Sequence, residues 1–190
     1  VEARDLRTRT YAEYVAFERS AERKHEYVNG RVYAMAGGTP EHARLAGAVI
    51  GALSVALRGK ACVPFSSDLR VRIAATGRAT YPDVTVVCGA LVRDAEDPDA
   101  VQNPTVLVEV LSDTTESDDR GEKWAHYQRI PSLREYVLVS QRAPRVEVFT
   151  RDEADPAVWH YRDHGPGAQA RLASIDAHLD VDALYAGALA

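Results

Sequence analysis

Thr105-Val-Leu-Val-Glu-Val-Leu-Ser112 decides how the rest of the chain is read. The run is apolar on both sides of the pleat, as in a strand buried on both faces near the middle of a sheet. Glu109 interrupts it. An ionised carboxylate in such a place costs several kcal/mol unless something compensates it. A metal, a Lys or Arg, or a set of hydrogen bonds could do so.

Working outward, the neighbouring segments supply a sheet and its helices. Tyr81–Cys88 reads as another strand, with Asp83 near its start, and Ala61–Phe65 and Asp68–Ala74 as two more. In the last of these, apolar Leu69, Val71 and Ile73 alternate with Asp68, Arg70 and Arg72, which predicts one wet face. Residues 89–104 are acidic and irregular, and Asp94–Asp99 reads as a solvated loop. Beyond Ser112, a helix is expected up to Pro131. Arg120, Lys123, Trp124 and Tyr127 are spaced to share one of its sides. Glu135–Ser140 and Arg145–Thr150 suit a hairpin. Val158–Arg162 and Arg171–Ile175 suit short strands, and Val181, Leu184 and Tyr185 a closing helical turn.

Upstream, Thr10-Tyr-Ala-Glu13 is a capping box opening a short helix to about Ser20. Asn29-Gly30 between β-rich runs predicts a two-residue hairpin turn that pairs Val28 with Arg31 and Glu26 with Tyr33. Thr39-Pro40 opens a helix that ends near Arg58, with Gly59 as its stop and His42 in its first turn. The expected class is α/β, a mixed β-sheet flanked by helices on both faces. One domain over residues 1–190 is expected, with residues 1–9 as a loose arm.

Composition limits the function. Apolar residues make up 46% of the 190, so a sizeable core can form. No apolar run is long enough to span a membrane, and no signal peptide opens the chain. The net charge of -5 argues against tight non-specific nucleic-acid binding by the whole surface. Arg31, Arg70, Arg72 and Arg78 could line a groove, although a solvated strand face is the simpler reading. Cys62 and Cys88 have no metal-ligand spacing and read as reduced core thiols, which suits a cytoplasmic protein.

If the strands carrying Asp83 and Glu109 are neighbours, their carboxylates can meet. Two close carboxylates both stay ionised only with a cation between them. Oxygen ligands without paired His or Cys point to Mg²⁺ or Mn²⁺, ions that keep waters and take phosphate oxygens. Lys123, on the helix that follows the Glu109 strand, can fold back over the strand's end.

These residues carry a resemblance. Pro82-Asp83 followed by Glu109-Val-Leu resembles the PD-(D/E)XK nuclease superfamily. More narrowly the chain resembles the bacterial Uma2 family of endonucleases. The resemblance runs through His25-Glu26-Tyr, Asn29-Gly30, His42, Tyr81-Pro-Asp83, Val108–Ser112, Asp119-Arg120, Lys123, Tyr127, Ile130-Pro131 and Glu135-Tyr136, covering most of residues 10–150. It implies a restriction-endonuclease-like fold acting on DNA, with Asp83 and Glu109 as ligands of Mg²⁺ or Mn²⁺. It also implies Glu26 as an accessory metal-binding acid and 5′-phosphate products; cutting both strands of a duplex needs two active sites, which favours a homodimer. The superfamily lysine stands two residues after the second acid, where this chain has Leu111. The Uma2 pattern moves it to the next helix, at Lys123. Two other readings remain open: a non-catalytic dimeric binding or mobile-element-derived protein of the same fold, and a hydrolase of a smaller phosphate ester.

Overall fold

The computed structural model describes residues 8–187. Most of the arm expected at residues 1–9 lies outside them. Within them, the Arg9 amide donates to the Gly30 carbonyl at 2.8 Å.

The elements run in the order α1 (Tyr11–Glu18), β1 (His25–Val28), β2 (Arg31–Ala34), α2 (Pro40–Ala56), β3 (Cys62–Ser66), β4 (Arg70–Ile73), β5 (Arg78–Thr80) and β6 (Val84–Cys88). There follow β7 (Ala100–Val101), β8 (Val106–Leu111), α3 (Glu116–Arg120), α4 (Glu122–Tyr127), β9 (Glu135–Ser140), β10 (Val146–Arg151) and β11 (Trp159–His164). The chain closes with β12 (Gln169–Leu172), β13 (Ala177–Asp180) and α5 (Val181–Tyr185). They form a mixed six-stranded sheet in the order β11-β10-β9-β8-β6-β3, a five-stranded sheet β2-β1-β5-β4-β7, and a small β12-β13 ribbon. The fold is α/β with mixed sheets flanked by helices.

β8 is the centre of the larger sheet, and all six of its residues are buried. The two-residue period sorts them. Val106, Val108 and Val110 share a core with Leu45, Val49 and Leu53 of α2 and with α5. Leu107 and Leu111 share the opposite core with Tyr127 of α4, Ile130 and Tyr136. Burying a Val or Leu side chain is worth about 1.5–3 kcal/mol, so the five apolar residues of β8 outweigh the several kcal/mol that its single acid costs.

Local chemistry sets several boundaries. Thr10 and Glu13 form the reciprocal capping box at α1. The Thr39 side chain accepts from the His42 amide, with Pro40 just inside α2. Asn29 and Gly30 both have positive φ, 48° and 88°, as a primed hairpin turn requires. The resulting register pairs Glu26 with Tyr33 and Val28 with Arg31, as the sequence predicts.

Four expectations need correction. Cys62 and Cys88 are joined in a disulfide, because the antiparallel β3–β6 register sets them directly opposite. The thiol-based argument for the cytoplasm falls with this. The Arg70 side of β4 is not wet: Arg70 is buried against Asp97 and Tyr81. The Arg72 guanidinium lies over the Tyr11 ring, which α1 brings to this face. The acidic loop is not solvated throughout, since Asp94 and Asp97 are buried and Asp97 also accepts from the Tyr11 hydroxyl. Finally, the helix after β8 is broken at Gly121, whose ψ of -100° is not helical. Arg120 therefore turns to Glu147 on β10, with two bonds at 2.8 and 2.6 Å, while Lys123 and Tyr127 turn to Glu109.

Candidate active site

The antiparallel pairing of β6 with β8 matches Val84 to Val108 and Thr85 to Leu107. Carried one step further, that register sets Asp83 against Glu109. Asp83 Oδ2 accepts from the Val110 amide at 2.7 Å, which ties its carboxylate to β8. His42 Nε2 lies 3.1 Å from the same oxygen. That hydrogen bond raises the His42 pKa, with burial opposing it.

On Glu109, the working oxygen is Oε1. It accepts from the Tyr127 hydroxyl at 2.6 Å and lies 3.4 Å from Lys123 Nζ. Lys123 Nζ also donates to Asp119 Oδ1 at 2.6 Å, one helical turn back along the chain. The second oxygens, Oδ1 of Asp83 and Oε2 of Glu109, have no bond to a described residue.

The charges do not balance. Asp83, Glu109 and Asp119 influence one another, and Lys123 is the cation among them. Burial pushes the Glu109 pKa well up, and the charges of Asp119 and Asp83 add to this while Lys123 opposes it. Burial also raises Asp119, again against Lys123. Lys123 itself is desolvated, but Glu109, Glu26 and Asp119 outweigh that and keep it charged. With all three acids ionised, Lys123 and a protonated His42 together would not neutralise them, which favours uptake of a proton or a cation.

Asp83, Glu109 and Lys123 line one cleft of about 350 Å³, together with Glu26, His42 and Asp118, while Asp119 lies behind Lys123. The structure thus brings Glu26, Asp83, Glu109 and Lys123 to one place, from both sheets and from α4. Glu26 is held differently from the other three. Its Oε1 accepts from the Thr80 hydroxyl and its Oε2 from Arg78 at 3.0 Å. Arg78, itself buried, also binds Asp118 at 3.0 Å. Both Glu26 oxygens thus already accept a hydrogen bond, unlike those of Asp83 and Glu109. Among the described residues, no three His, Cys, Asp or Glu side chains form a ready-made metal cage. The donor set is instead two carboxylates with an oxygen each to spare, the minimal protein contribution that Mg²⁺ accepts when waters and phosphates complete its shell.

Residues 11–181 match the family described as Uma2, "Putative restriction endonuclease". The chain belongs to the Uma2 family. Two uncharacterised proteins of Synechocystis sp. are similar to it. One, slr1290, is 33% identical over 175 residues, covering 92% of this chain and 90% of the relative. The other, sll1609, is 33% identical over 142 residues, covering 75% and 80%. A solved structure from Anabaena variabilis, described as a "putative nuclease belonging to DUF820", superposes with a TM-score of 0.75. It is 15% identical and covers 96% of this chain and 100% of its own, a likeness of fold.

In this Uma2 member, Asp119 and Tyr127 complete the cluster; both stand among the residues of the family resemblance, but the sequence assigned neither a role in the site. Asp119 could have been suspected from its i,i+4 spacing to Lys123. Tyr127 falls one turn beyond Lys123 and reads as packing. Nothing local reveals that its hydroxyl reaches Glu109, 18 residues back. No helix among the described residues is long and apolar enough to cross a membrane.

Proposed function

We propose that this protein is a Mg²⁺- or Mn²⁺-dependent endonuclease of the PD-(D/E)XK kind, hydrolysing DNA phosphodiester bonds. The observation that supports it is the meeting of Asp83, Glu109 and Lys123 in one cleft, with two carboxylate oxygens to spare. Asp83 and Glu109 would hold the ion. When bound, Mg²⁺ or Mn²⁺ supplies Lewis acidity at the phosphate and makes water a better nucleophile at neutral pH.

The protein groups do the rest. The Val110 amide and His42 orient Asp83. The Tyr127 hydroxyl orients Glu109 through Oε1 and leaves Oε2 to bind the ion. Lys123, kept charged by its acids, faces the phosphate and stabilises charge that develops on its oxygens. Asp119 fixes the Lys123 side chain, so the ammonium is already oriented before substrate arrives. Glu26 acts at one remove, by holding Arg78 between β1 and α3. Cutting both strands of a duplex takes two such sites, which is the case for a homodimer.

The test is nicking of supercoiled plasmid in Mn²⁺, in Mg²⁺ and in chelator. Metal-dependent nicking should fall at least 100-fold in Asp83→Ala and Glu109→Ala, each checked for folding by circular dichroism. Nicking unchanged in both variants, or a folded protein that neither nicks nor binds metal by calorimetry, defeats the proposal.

A further inference from the structure

The 350 Å³ cleft does not end at Asp83. A second groove of about 520 Å³ meets it there. The two share Met35, Ala36, Gly37, Gly38, His42 and Asp83. From Asp83 the groove follows one face of α2, past Ala43, Ala46 and Gly47, toward Ser66, Ser67 and Lys24. In the other direction the cleft opens between the exposed Tyr33 of β2 and the hydroxyls of Ser112, Thr114 and Thr115. A path thus runs through the site with Asp83 at its midpoint.

Charge along the path is unlike that of a duplex-binding surface. The cleft lining holds the carboxylates of Glu26, Asp83, Glu109 and Asp118 against one lysine, Lys123, whose ammonium already serves Asp119 and Glu109. Arg78, the nearby guanidinium, is shared between Glu26 and Asp118. At the far end of the groove Lys24 is paired with Asp68. A DNA duplex carries one charge per about 1.7 Å of axis, and one of its strands alone carries at most half that density. An acidic path tolerates the second far better than the first. Tight duplex binding also draws on cations that neutralise phosphates, and these walls offer few. What they do offer is hydroxyls for sugar and phosphate. The catalytic groups are recessed as well, the side chains of Glu109 and Lys123 being 4% and 8% exposed.

Resting on the nuclease reading above, we propose that the substrate enters as a single strand. It runs from the Tyr33 and hydroxyl rim, past Asp83, and along the Ala43–Gly47 face of α2. One active site then cuts one strand, and duplex DNA is attacked where it is frayed or unpaired.

The test separates this from the nuclease reading itself. Fluorescence anisotropy compares a labelled 15-nucleotide single strand with the same sequence as a blunt duplex, in Ca²⁺. The single strand should bind at least tenfold tighter. Duplex binding that is equal or tighter overturns the inference, whether or not the protein cuts plasmid in Mn²⁺. Gly47→Trp probes the path. A side chain at Gly47 meets nothing within 4 Å, so bulk added there fills the groove without disturbing the core. It should weaken single-strand binding about tenfold. Val55→Trp, on the same helix but outside the groove and 65% exposed, should not. A Gly47→Trp protein that binds the strand like the parent removes the path along α2.

Discussion

Replacing Lys123 with Met keeps most of the side-chain volume and removes one buried charge. In the parent, Nζ lies 2.6 Å from Asp119 Oδ1 and 3.4 Å from Glu109 Oε1, and both acids are almost fully buried. Breaking a buried pair from one side typically costs about 3–5 kcal/mol, and here two carboxylates lose the same partner. The loss should depend on pH, and its sign follows from the acids. Glu109 and Asp119 already have raised pKa values in the folded state, and without Lys123 they rise further. An acid whose folded pKa is raised destabilises the fold above its unfolded pKa, 4.5 for Glu109 and 3.8 for Asp119. Below those values the penalty vanishes, because both states are protonated. Each proton that the folded state holds in excess lowers stability by about 1.4 kcal/mol per pH unit as pH rises. The variant should therefore be near parental stability at pH 4 and fully destabilised at pH 8. Urea unfolding followed by the fluorescence of Trp124 and Trp159 reads this directly. If Asp83 and Glu109 hold Mg²⁺, the ion at about 100 times its dissociation constant should restore about 2.7 kcal/mol at pH 8. An equal loss at pH 4 and pH 8 would refute the charge argument and leave Lys123 as a packing residue.

Two further perturbations test the frame around the site. Glu147 has its pKa lowered, chiefly by its hydrogen bonds from Arg120, so it stabilises the fold above 4.5 and loses that contribution as pH falls through its lower folded value. Glu147→Gln should cost about 1 kcal/mol at pH 7, discounted for the partly exposed Arg120, with the gap narrowing as pH falls below 4.5; a gap that does not narrow on acidification contradicts the assignment. The Cys62–Cys88 bond closes a loop with a sequence separation of 26, so Cys62→Ser with Cys88→Ser should lower stability by about 3 kcal/mol. A reductant should shift the thermal midpoint of the parent and not of the double variant, and no shift in the parent would mean that the bond does not form.

What the sequence made legible was local. The two-residue period of β8, the Asn29-Gly30 turn and the Thr10 and Thr39 caps each depend on residues close in the chain, and each folds as its pattern predicts. The meeting of Asp83 with Glu109 needed one further supposition, that their strands are neighbours, and the sheet order provides it. What stayed hidden depends on distant partners. Arg70 alternates with apolar residues as a solvent-facing residue would, and its burial follows only from Asp97, 27 residues on. Arg78 looks like a turn residue until Glu26, 52 residues back, reaches it. The disulfide is invisible for the same reason: either cysteine suits a core strand, and only the β3–β6 register sets them opposite.

The least legible feature is also the one that builds the site. A continuous helix over Glu116–Tyr127 would carry Arg120, Lys123 and Tyr127 on one side and compete two cations for one acid. Gly121 breaks it, and the break needs a glycine, since a Cβ there would lie 2.8 Å from the Ser117 carbonyl oxygen. After the break Arg120 is free to serve Glu147, outside the cluster. Lys123 is left as the single ammonium among Asp83, Glu109 and Asp119, too little charge to neutralise them all. Stability alone would favour keeping both cations with the acids, or replacing Glu109 with another valine. The fold instead keeps three carboxylates beside one ammonium and the His42 imidazole, next to a cleft that opens to solvent, and the remaining shortfall is what a divalent ion would satisfy.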